Sequence, residues 1–170
     1  MKGFFTSLAD TPTLWVSGLV TLGLTLAFGI WITLHDLHII DEIWREDAIR
    51  AVVGAMSAEQ RRAHVLMTLG LDVGYPLAYG MFLGGLALRA WRKGWLAIPA
   101  LVTIPVDLVE GAAQVGLLTG YASGEGEWGY AVKAVATPLK LGGFILAVVI
   151  GIVAAAVLVW RKVRGETFRQ

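Results

Sequence analysis

Apolar positions gather into four long runs separated by polar loops. A bilayer core of about 30 Å takes about 20 residues of α-helix. Four segments meet that length, at about residues 14–34, 65–88, 95–118 and 141–160. The first carries no charge, the second carries Asp72, the third carries Asp107 and Glu110, and the fourth is preceded by Lys140. The pattern predicts an all-α integral membrane protein: a four-helix transmembrane bundle forming one domain over residues 1–170. The two middle runs are less apolar than the outer two, which points them toward protein as well as lipid.

Between the first and second spans lies "HDLHIIDEIWREDAIRAVVGAMSAEQRRAH", too long for a tight connection. Within it Ile40, Ile43, Trp44 and Ala51 mark one side of an amphipathic segment over about residues 36–56. That segment is expected to lie on the bilayer or cap the bundle. Ser57 and Gln60 have the spacing of a capping box, so the second helix is expected to start before the membrane. The last loop, "TGYASGEGEWGY", is glycine-rich and acidic.

Polar residues inside the middle spans are not scattered. At 100° per residue, Thr103, Asp107, Glu110 and Gln114 share an arc of about 60° on the third span. On the second, Asp72, Tyr75 and Tyr79 share a similar arc of about 60°. Polar stripes of this kind face a bundle interior rather than lipid. At 1.5 Å per residue, Glu110, Tyr75 and Asp72 come out nearly level, in the half of the bilayer next to the 36–56 loop. Lys140 stands near the same boundary. It either snorkels to the headgroups or closes the top of the carboxylate site, paired with Asp72 or Glu110. His35 is expected at the same mouth. Three carboxylates then converge on at most one nearby cation, so at least one of Asp72, Asp107 and Glu110 is expected to hold a proton unless a bound cation or a water-filled cavity compensates.

Prolines add possible breaks. Pro76 removes the partner of the carbonyl four residues earlier, which belongs to Asp72 itself, and Pro105 does the same to Leu101. Gly70 with Gly74, Gly80 with Gly84, and Gly116 with Gly120 make small-residue pairs that let helices approach closely. They serve packing within one chain or a homodimer.

Charge gives the expected orientation. Lys2, Arg89, Arg92, Lys93, Arg161, Lys162, Arg164 and Arg169 fall on one side, opposed there only by Asp10 and Glu166. The acidic loops fall on the other. A Lys/Arg excess marks the cytoplasmic face, so both termini are expected in the cytoplasm. Composition agrees with a membrane protein: 56% hydrophobic and 16% charged residues, against roughly a quarter charged in soluble domains, with a mean hydropathy of +0.68. The expected location is a cell membrane, of the bacterial inner-membrane type, with lipids as neighbours.

Several chemistries are set aside. The chain has no cysteine, which excludes disulfides, thiolate catalysis and Cys-based metal sites. His35 and His38 precede Asp41 and Glu42, and His64 is the only other histidine. This is thin for a metal site, so neither metal nor cofactor is expected. No basic patch interleaved with aromatics suggests nucleic acid.

The candidate site is therefore Asp72, Tyr75, Tyr79, Asp107, Glu110 and Gln114, with Lys140 and His35 at its mouth. Its expected role is to bind or conduct a proton, a cation or a small cationic solute. An alternative is an intramembrane enzyme using a protonated carboxylic acid on a lipid or isoprenoid. A second alternative is an accessory or assembly subunit of a membrane complex.

Overall fold

The computed structural model describes residues 6–165. Lys2, Glu166 and Arg169, used above for orientation, lie outside the described residues. All regular structure among them is helical. The elements are α1 (Thr11–His35), α2 (Glu46–Ala55), α3 (Ala58–Met67), a π-helical turn (Thr68–Asp72), α4 (Val73–Trp91), a 3₁₀ turn (Gly94–Ala97), α5 (Ile98–Thr119) and α6 (Trp128–Val163).

Four helical segments are long and apolar enough to cross a membrane: Thr11–His35, Ala58–Trp91, Gly94–Thr119 and Trp128–Val163. The second and fourth exceed what a bilayer needs. At 1.5 Å per residue, 34 and 36 residues make about 51 and 54 Å. α6 starts at Trp128, thirteen residues before the expected start at 141. The glycine-rich loop is correspondingly short, and residues 128–140 join the bundle.

The four helices are not equivalent. α6 packs most extensively against α5, and α4 packs against both. α1 packs chiefly on α4 and leaves Leu19, Leu22, Leu26 and Ile30 exposed. The core is thus the triad of α3–α4, α5 and α6, with α1 along one flank. Small residues set the approach of α4 to α5. A Cβ added to Gly80 would meet the Ile104 side chain at 2.6 Å, and one at Gly84 would meet Ala97 Cβ at 3.7 Å. That pair serves packing inside the chain. Gly116 likewise makes room for the Trp128 ring at the start of α6.

Two ends can be distinguished. At the loop end, α2 turns Ile49 and Val53 onto Leu117, Leu118 and Tyr130, and Ile40 and Met56 complete an apolar cluster. Arg50 ties the rim together, pairing with Glu46 and Glu127 and lying over the Tyr130 ring. Ser57 and Gln60 form the reciprocal capping box that starts α3. At the opposite end Leu8, Leu88 and Ala97 pack together. Arg161 there donates to the Ala90 carbonyl at 2.7 Å.

Candidate functional site

The third span presents its stripe inward. Thr103, Asp107, Glu110 and Gln114 are all buried, Glu110 and Gln114 at 0% exposure. Opposite them runs a stripe on α6, of which the sequence pointed only to Lys140. Lys133, Thr137 and Lys140 stand at i, i+4 and i+7, one face of a helix. All three are buried, Lys133 and Thr137 at 0%.

Glu110 is the hub. Lys133 Nζ donates to Glu110 Oε1 at 2.5 Å, and Thr137 Oγ1 donates to the same oxygen at 2.5 Å. Glu110 Oε2 faces the Lys140 ammonium, which also stands 3.4 Å from Asp107 Oδ1. Lys140 therefore points into the protein and not to the headgroups. Two lysines enter the site where at most one was expected, because the helical start at Trp128 carries Lys133 out of the loop.

The network spreads from this hub in two directions. Toward the opposite end, the Tyr79 hydroxyl donates to Asp107 Oδ2 at 2.9 Å, and the Tyr79 ring meets Phe144 edge-on. Thr103 donates to its own helix at Pro99 O, 2.7 Å away. Toward the loop end, Lys133 also donates to Gln114 Oε1 at 3.1 Å. Gln114 Nε2 donates to Thr68 Oγ1 at 3.2 Å and lies 3.4 Å from His64 Nδ1. Thr68 and His64 extend the second span's stripe by two turns, at i−4 and i−8 from Asp72. That periodicity was readable, but it begins beyond the apolar run used to place the span.

Asp72 ends the π-helical turn, and a Cβ on Gly111 of α5 would come within 3.7 Å of Asp72 Oδ2. Its carboxyl thus lies against α5 beside Glu110. It is half-buried, in the fields of Asp41, Asp107, Lys140 and Glu110, and makes no hydrogen bond or ion pair among the described residues. π-bulges concentrate at functional sites. Here the bulge adjoins a residue whose carbonyl has lost its usual partner to Pro76.

Two other expected residues lie elsewhere. The Tyr75 hydroxyl is 3.3 Å from Thr25 Oγ1 of α1, and its ring meets Phe28 and Tyr79 edge-on. Tyr75 belongs to the α1–α4 seam and touches the site only through Tyr79. The His35 ring stacks on Trp31, with Nδ1 3.0 Å from the Trp31 carbonyl, and it does not enter the carboxylate cluster. Among the described residues, no three His, Asp or Glu side chains are grouped as metal ligands.

Chemically the cluster is a nearly neutral, densely bonded polar core. Three carboxylates stand against two ammonium groups, and one carboxylate has no donor. No family model, curated protein or solved structure matches this chain.

Proposed function

We propose that this is a small multi-pass membrane protein whose buried network binds a proton, reached from the loop end. The observation behind this reading is the charge count around Glu110. Asp72, Asp107 and Glu110 outnumber Lys133 and Lys140, and Asp72 is the carboxylate without a partner. An ionised carboxylate left unpaired within a membrane span is unfavourable by several kcal/mol or more. A proton on Asp72 leaves Asp107 and Glu110 balanced by Lys133 and Lys140, and removes the repulsion from Asp41 of the loop. A larger cation at Glu110 or Asp107 would have to displace Lys133 or Lys140.

The same geometry favours binding over passage across the membrane. Polar side chains of the network run from His64 to Thr103, and the buried Ser17 of α1 bonds only its own helix. Beyond Thr103 the interior is Ala97, Ala100, Leu88 and Leu8. The lipid-enzyme reading finds less support. The groove between α5 and α6 is lined by apolar residues such as Val106, Val109, Val132 and Val135, and none of the cluster lines it.

In this proposal the basic end, with Arg92, Lys93, Lys162 and Arg164, faces the cytoplasm. The loop end, with α2 as an amphipathic cap, faces outward across a cell membrane of the bacterial inner-membrane type. Protonation of Asp72 would act on the bilayer-embedded packing of α4 against α5, since Asp72 sits at their contact.

The test is proton uptake by purified protein in weakly buffered detergent. The expected result is reversible uptake of about one proton per chain that is lost in Asp72→Asn. Equal uptake by wild type and Asp72→Asn would overturn the assignment.

A further inference from the structure

One ionisable side chain deeper than the loop-end surface is not used by the charge balance. His64 on α3 is fully buried, at 0% exposure. Among the described residues its Nε2 makes no hydrogen bond of good geometry, although the His38 backbone lies close enough to the ring to act on it. Its Nδ1 lies 3.4 Å from Gln114 Nε2. The groups facing it come from four directions. Thr68 is on its own span, bonded to Gln114. Gln114 is on α5, and Lys133 on α6 bonds the other end of the Gln114 amide. Asp41 and the His38 backbone come from the loop after α1. His38 is exposed and Asp41 half-buried, so this side of His64 adjoins the loop-end surface.

Gln114 therefore stands between an imidazole near the surface and the Glu110 hub. A primary amide offers donors and an acceptor but no readily exchanged proton at neutral pH. Held by Thr68 and Lys133 together, it separates the two. Rotated away, it leaves polar groups at both ends of the gap, where water is well accommodated.

We propose that His64 is the proton-transfer group between the loop-end solvent and the carboxylate site, and that Gln114 is the gate between them. The proposal rests on the proton-binding reading above. With the Gln114 NH2 facing Nδ1, the resting ring carries its proton on Nε2. When Gln114 swings, a carboxylic acid of the site gives its proton across the admitted water to Nδ1, and the imidazolium releases its Nε2 proton to loop-end water as hydronium, leaving a carboxylate and a ring protonated on Nδ1. The return runs in reverse: hydronium gives a proton to Nε2 and leaves as water, and the Nδ1 proton passes to the carboxylate, which restores the carboxylic acid and the resting tautomer. The histidine side chain suits this task because its unperturbed pKa is about 6.5.

The test is the rate at which the protonated carboxyl of the purified full chain exchanges with D2O, followed by the isotope shift of its infrared carbonyl band. That band must first be present in wild type, and its absence would sink the proton-binding reading itself. With the band present, His64→Gln and His64→Ala are expected to slow exchange tenfold or more. Imidazole in the medium is expected to restore the rate in His64→Ala. Gln114→Ala is expected to speed exchange, the opposite sign. The band persisting in each variant shows that the site is still assembled. Wild-type rates in both His64 variants would overturn the transfer role, and slowed exchange in Gln114→Ala would overturn the gate.

Discussion

Lys133 and Glu110 form a fully buried ion pair, Nζ to Oε1 2.5 Å, on antiparallel neighbours α6 and α5. Breaking a buried pair leaves one charge without compensation, at a cost of about 3–5 kcal/mol, whereas replacing both partners with apolar residues can be near neutral. Lys133→Met is therefore expected to lower stability by about that amount. Lys133→Met with Glu110→Met is expected to recover part of the loss, although Lys140 and Thr137 then lose their own acceptor. Reversible denaturation in mixed micelles, run as a double-mutant cycle, gives both values.

This pair also marks the limit of what was legible in the sequence. The stripe Thr103, Asp107, Glu110 and Gln114 was readable because it interrupts an apolar run at helical spacing. Lys133, Thr137 and Lys140 have the same spacing, but they precede the apolar run of α6. The glycine-rich stretch just upstream made this segment look like part of the loop. Hydropathy locates where a helix meets lipid, and it is silent on a helix that continues through protein. The same cause hid His64, which precedes the second span as placed at 65–88, whereas Thr68 lies within it and carries no charge to mark it. Asp72 and Tyr79 did reach the site, while Tyr75 turned to α1, because a stripe about 60° wide is broad enough to face two neighbours.

Close packing of α4 on α5 yields a contrast between glycines. Gly80→Ala would place a methyl 2.6 Å from Ile104 and 3.1 Å from the Ala100 carbonyl. Overpacking of this kind typically costs about 1–3 kcal/mol. Gly23→Ala on α1 meets nothing within 4 Å, and is expected to be neutral or stabilising by up to about 1 kcal/mol through helix propensity. Thermal unfolding in detergent of the two variants should separate them, with Gly80→Ala melting lower.

The capping box at the start of α3 was expected from sequence and is present in the structure. Ser57→Ala removes the acceptor for the Gln60 backbone N–H, and the expected loss is about 1 kcal/mol. Amide exchange at residues 58–61 is expected to rise more than in the middle of α4.

At the loop end, Arg50 holds the Glu127 carboxyl below the usual glutamate range. A carboxyl lowered in the folded state contributes stability above its ordinary pKa and loses it as pH falls through the lowered value. The Arg50–Glu127 tie between α2 and the start of α6 should therefore weaken only on acidification, and high salt should weaken it at neutral pH. A spin label at Ala51 is expected to be immobilised at neutral pH and mobile in strong acid. In Glu127→Gln it is expected to be mobile already at neutral pH, and unchanged mobility there would refute the tie.

One carboxyl of the cluster, Asp72, is expected to be protonated, because Lys133 and Lys140 are committed to Glu110 and Asp107. Infrared spectroscopy of the purified protein at neutral pH reads this directly. The expected spectrum contains a protonated carboxylic acid band that shifts in D2O, disappears in Asp72→Asn, and remains in Tyr75→Phe. A spectrum without such a band, or a band that survives unchanged in Asp72→Asn, would contradict it.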